Sequence, residues 1–143
     1  MKIIVINGPN LNMLGVREPE IYGSQSLQDL NEYIRSFSVS KNIEVDFFQS
    51  NHEGNIIDVI QESMGKYEAI IINPAAYTHT SIAIADAIRA VGLPTVEVHL
   101  SDVNSREEYR KTSYISEHCV ATVSGKGFNS YIDAIEIILS KLK

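Results

Sequence analysis

The sequence contains one cysteine, Cys119, in 143 residues. An intrachain disulfide is therefore impossible, and four scattered histidines with a single cysteine do not give the ligand spacing of a zinc site. Cys119 itself reads as a small, buried apolar residue on a strand. Basic charge is also short: 12 Lys and Arg stand against 18 Asp and Glu, a formal charge of −6. That balance excludes a nucleic-acid surface, which needs clustered cations to neutralise phosphates, so any anionic ligand must be held by local donors. No long apolar segment, low-complexity tract or charge block is present. KIIVIN follows Met1 without a basic leader or cleavage site, and the expectation is a reducing cytoplasm and no membrane contact. Neither G-x-x-x-x-G-K-[ST] nor G-x-G-x-x-G occurs, so nucleoside triphosphate and dinucleotide binding lack a motif.

What is present fits one globular domain, residues 1–143, with 44% apolar and 21% charged residues. A chain of this size buries about 70% of its unfolded surface, enough for a proper core. Short β-branched runs recur at Ile3 to Ile6, Ile43 to Phe48, Ala69 to Ile72, Thr95 to Leu100 and Cys119 to Val123. They read as strands buried on both faces. Between them the apolar period is 3.6: Leu27, Leu30, Ile34 and Phe37; Ile56, Ile60 and Met64; Ile84, Ile88 and Val91; Tyr131, Ile135, Ile138 and Leu142. A serine cap within SQSLQD starts the first helix, and Gly92 with Pro94 stops the third. Strict alternation predicts an α/β, flavodoxin-like three-layer sandwich with a five-stranded parallel sheet. Ligands bind such sheets beyond the carboxyl ends of the strands, where strand order switches, so chemistry belongs in the strand-to-helix loops.

The first of these loops, Asn7 to Ser24, is too long for a connector and reads as a mobile lid, with Gly8, Gly15 and Gly23 as bending points and Pro9 and Pro19 as stiffeners. In NPAAYTHTS, Thr78, His79, Thr80 and Ser81 crowd a helix start. Free amides there suit a carboxylate, and equally Thr78 or Thr80 simply caps the helix. TVEVHLS puts Glu97 and His99 on one face of a strand, either as an acid–base pair with its imidazole held by a carboxylate or as a satisfied core pair. Arg106 and Arg110, four apart in SREEYRK, face a ligand or belong to a solvated helix.

Together, GPNLNMLG with REPEIYG, NPAAYTHTS, and EVHLS with REEYR span nearly the whole chain in order, and they closely resemble the type II 3-dehydroquinate dehydratases. The resemblance implies a cytoplasmic hydro-lyase of the shikimate pathway and aromatic amino acid biosynthesis, assembled as a dodecamer, a tetramer of trimers, and using neither metal nor organic cofactor. Its substrate would be 3-dehydroquinate, dehydrated to 3-dehydroshikimate by anti elimination through an enolate. By motif position Tyr22 would be the base and Arg17 its activating neighbour, His99 the general acid and Glu97 the residue that orients it. Asn10 would help hold an enolate-stabilising water. Asn73 and the amides of Leu100 and Ser101 would take the substrate carboxylate, His79 and Arg110 the ring hydroxyls, and Asp86 would reach a neighbouring subunit's site. A phenol with a pKa near about 10 needs roughly 4 kcal/mol of differential stabilisation to act as a base near neutrality, which an adjacent guanidinium in a closed site can supply. The chain departs from a common family pattern at Asp102, Asn104 and Tyr109, and Arg106 is left without a role.

Three other readings compete. An FMN carrier of this fold would have a short Ser, Thr and Gly-rich first loop, and a receiver domain would need acidic residues at the ends of the first and third strands, where Asn7 and Asn73 stand. A silent scaffold would be expected to have lost some of Arg17, Tyr22, Asn73, His79 and His99, all of which are present.

Overall fold

The computed structural model describes residues 1–16 and 25–142. Its five strands are β1 (Lys2–Asn7), β2 (Glu44–Gln49), β3 (Ala69–Asn73), β4 (Thr95–Val98) and β5 (Ala121–Val123), all paired in parallel in the order β2-β1-β3-β4-β5. The helices are α1 (Leu27–Ser40), α2 (Glu53–Glu62), α3 (Ile82–Val91) and α4 (Asn129–Leu142). This is the predicted flavodoxin-like sandwich.

Alternation along each strand sorts its side chains between two apolar layers. Ile3 and Val5 of β1, Ala69 and Ile71 of β3 and Val96 and Val98 of β4 pack with Leu30 and Ile34 of α1 and Ile135 and Ile138 of α4. The intervening Ile4, Ile6, Ile70 and Ile72 pack with Ile56 and Ile60 of α2 and Ile84 and Ile88 of α3. Burial on both faces holds for β1, β3 and β4. The edge strands β2 and β5 are only partly buried, because each has a neighbour on one side only. Cys119 precedes β5 rather than lying on it and is half-buried; burial, and then the charge of Glu97, push its thiol up to about 12.

The helix ends follow local chemistry. Ser26 accepts from the Asp29 amide and Asp29 returns a bond to Ser26, a complete capping box for α1. Gly92 closes α3 at φ 68, a left-handed conformation that a β-carbon disfavours. The cap of α3 is Ser81, which accepts from Ile84, and neither Thr78 nor Thr80: residues Ala75–His79 are wound into a separate 3-10 turn.

Strand order switches between β1 and β3, and here the backbones nearly touch. The Gly8 amide donates to the Asn73 carbonyl at 2.8 Å, and a β-carbon on Gly8 would lie 2.6 Å from the Pro74 oxygen. Gly8→Ala should therefore lower unfolding stability by about 1–3 kcal/mol in urea titrations. Gly54→Ala, at an exposed position of α2 with nothing within 4 Å of the added carbon, should raise it by about 0.5–1 kcal/mol.

Candidate active site

Above the carboxyl ends of β1, β3 and β4 lies a cleft lined by Asn10, Asn73, His79, His99 and Arg110, with Leu100, Ser101 and Arg106 completing its wall. Each group arrives there for a local reason. Asn10 has φ 70, a conformation asparagine tolerates better than most residues, and its amide donates to Asn51 Oδ1 at 3.0 Å. The Gln49 side-chain amide reaches Gly8 O at 3.1 Å and Asn51 Oδ1 at 3.3 Å, while Tyr77 donates its hydroxyl proton to Asn51 O at 2.8 Å. The loops after β1, β2 and β3 are thus tied to one another.

His79 ends the 3-10 turn that follows β3. Its Nδ1–H donates to Thr112 O at 2.7 Å, so Nε2 is left to accept a proton from a hydroxyl in the cleft. Ala75, in the same turn, holds φ 52, which is strained for any residue with a β-carbon. Asn73 Oδ1 accepts from its amide at 3.1 Å and stabilises the turn.

Glu97 and His99 share the α3-facing side of β4, as period 2 requires, with His99 one residue past the strand's end. Both are buried, Glu97 to 1% exposure. A carboxylate out of water needs nearly all its acceptor sites filled. His99 Nε2–H donates to Glu97 Oε2 at 2.5 Å, the Ser113 hydroxyl lies 3.0 Å from both carboxylate oxygens, and Thr122 donates to Oε1 at 3.2 Å. Thr122 stands there because β4 and β5 pair Glu97 with it. Glu97 thereby fixes the tautomer of His99, whose Nδ1 is the nitrogen left for a cleft ligand.

The two arginines do not share a helix face. Residues 101–118 form three 3-10 turns, Val103–Ser105, Glu108–Arg110 and Ser116–His118, in which charged and serine side chains bond the backbone locally. Both arginines nevertheless line the cleft. Glu107 sits between them, 2.9 Å from Arg110 Nε and 3.9 Å from Arg106 Nε. A bond from its own backbone and then the two guanidinium charges hold its carboxyl below the usual range. The ion pair with Glu107 holds the Arg110 guanidinium at the cleft wall, where it can meet a ligand oxygen. Asp102 accepts from the Asn104 amide at 3.0 Å and caps the first of these turns; the exposed Tyr109 ring lies 5.3 Å from the Arg110 guanidinium.

Over residues 1–139 the sequence matches Dehydroquinase class II. The chain belongs to the class II dehydroquinase family. It is 56% identical over 140 residues to the 3-dehydroquinate dehydratase of Clostridium botulinum (strain Hall), covering 98% of this chain and 95% of that protein. With the 3-dehydroquinate dehydratase of Geotalea daltonii it shares 50% identity over 143 residues, covering 100% and 99%. A solved type II dehydroquinase from Butyrivibrio crossotus superposes with a TM-score of 0.95 at 50% identity, covering 97% of each chain. A 3-dehydroquinate dehydratase-like protein from Bifidobacterium longum gives 0.74 at 28%, covering 100% of this chain and 98% of that one. Family membership makes the chain a hydro-lyase.

Against the class II dehydroquinase assignment, the cleft gathers Asn10, Asn73, His79, His99, Leu100, Ser101 and Arg110, with Glu97 directly behind His99. Asp86 is elsewhere, exposed on α3 and paired with Arg89 at 3.5 Å. Arg17 and Tyr22, with the rest of residues 17–24, lie outside the described residues. Sequence reasoning missed Ser113, Thr122, Gln49 and Asn51. Thr122, a polar residue between Ala121 and Val123, and the polar QSN that follows β2 were the available signals.

Removing the donors that hold Glu97 should be costly. Ser113→Ala and Thr122→Val should each lower stability by about 1–3 kcal/mol in urea titrations, and the double variant should deviate from additivity because both donors share one carboxylate.

Proposed function

We propose that the chain is a type II 3-dehydroquinate dehydratase that eliminates water from 3-dehydroquinate to give 3-dehydroshikimate, a step of the shikimate pathway in aromatic amino acid biosynthesis. The observation that carries this reading is the buried His99–Glu97 pair at a cleft lined by His79 and Arg110, in a chain of this family.

In this reading the elimination is anti and needs neither metal nor organic cofactor. Tyr22, ionised beside Arg17, takes the proton next to the ketone, and the electron pair moves into an enolate. A water held with the help of Asn10 stabilises the enolate oxygen. His99 then protonates the departing hydroxyl, the carbon–oxygen bond breaks, and water leaves as the conjugated enone forms. Glu97 keeps the imidazole turned so that Nδ1 faces the cleft. Asn73 and the amides of Leu100 and Ser101 receive the carboxylate. The fixed tautomer of His79 accepts a ring hydroxyl proton, and the Arg110 guanidinium donates to a ring hydroxyl oxygen. Asp86, exposed on α3, completes the site of a neighbouring subunit within a cytoplasmic dodecamer.

Purified protein mixed with 3-dehydroquinate and a chelator should give a rising ultraviolet absorbance from the enone; a flat trace from folded protein overturns the reading. Tyr22→Phe should cut kcat by roughly 10²-fold or more while folding and substrate binding persist. His99→Ala should spare solvent exchange of the proton next to the ketone more than elimination. Equal losses of both would show that base and acid are wrongly divided.

A further inference from the structure

Asn7 and Asn73 end adjacent strands and are register partners. By alternation both point toward the α1 and α4 layer. There they meet Tyr131 of α4, a fully buried side chain in an otherwise apolar cluster. The Tyr131 hydroxyl donates to Asn7 Oδ1 at 2.6 Å and accepts from Asn73 Nδ2 at 3.0 Å. Asn73 Oδ1 in turn accepts from the amide of the strained Ala75.

For stability alone, three buried polar side chains are a poor choice, since apolar residues of similar volume would fill the space without desolvating any polar group. Their geometry does something that apolar packing would not. A carboxamide can sit two ways round, related by a half-turn. Because Tyr131 spends its proton on Asn7, its oxygen faces Asn73 as an acceptor, while the Ala75 amide faces Asn73 as a donor. Only one orientation satisfies both, with Nδ2 toward Tyr131 and Oδ1 toward Ala75. Burial holds the Tyr131 phenol well above its ordinary pKa, so the hydroxyl keeps its proton at any working pH.

We propose that Tyr131 is a positioning residue for substrate binding: it locks the Asn73 carboxamide so that one Nδ2 proton is taken by the phenol and the other is left for the substrate carboxylate in the cleft. This rests on the reading of Asn73 as a carboxylate ligand given above. Tyr131 touches no substrate and acts only through Asn73, with Asn7 fixing the direction of its hydroxyl.

The test is steady-state kinetics on 3-dehydroquinate for the wild type, Tyr131→Phe, Asn73→Ala and the double variant. Tyr131→Phe should raise KM about tenfold with kcat nearly unchanged, the size expected for loosening one hydrogen bond to a charged group. In the Asn73→Ala background the same change should add less than about twofold, because its only route to the substrate is gone. An unchanged KM in Tyr131→Phe, or factors that multiply in the double variant, overturns the role. Asn7→Ala, which lets the hydroxyl turn, should raise KM in the same direction by a smaller factor; no change there also overturns it. Wild-type protein inactive on 3-dehydroquinate would refute the proposed function instead. The lock would then be judged from the Asn73 side-chain amide resonances, which should be slowly exchanging in the wild type and shifted in Tyr131→Phe; identical spectra overturn it.

Discussion

The close approach of two backbones at the switch point underlies everything above the sheet. β1 and β3 diverge in their connections, and the crevice between their exits can hold a site only if the first residues of both loops stay together. The bond from Gly8 to Asn73, with no space for a β-carbon between Gly8 and Pro74, keeps them so. Asn10 and the Ala75 turn are each only two residues from that contact, and both take left-handed conformations. Their geometry is inherited from it.

Two of the networks that hold the polar residues of the site lie on opposite faces of the sheet. Toward α4, Asn7, Tyr131 and Asn73 form a chain in which every donor has a direction. Toward α3, Glu97 gathers His99, Ser113 and Thr122. Neither arrangement is the cheapest way to fill a core, since each takes polar groups out of water and recovers the loss only through complete pairing. What they supply is side chains at the cleft with few alternative orientations. The arginines come instead from short 3-10 turns, where Glu107 keeps their charges together near the wall.

The strands, helices and parallel order were legible because they depend on periodicity, a property of the chain read residue by residue. The period in EVH also fixes that Glu97 and His99 leave the same face of the sheet, whereas Asn7 and Asn73 share theirs only through the register of β1 with β3. Serine capping of α1 was legible for the same reason, being settled within four residues. The cap of α3 was not, because a 3-10 turn absorbed Thr78 and moved the start to Ser81.

The sequence by itself determined the fold class, the family and the loops that carry the polar residues, since motifs and periods are local and survive without coordinates. Tertiary structure alone decided which distant residues complete them. Tyr131 is 124 residues from Asn7, Thr122 meets Glu97 only through the register of β4 with β5, and Ser113 reaches it across a loop that has no period to read. Hydrogen bonds of this kind leave no spacing in the chain, because they are set by the packing of whole elements.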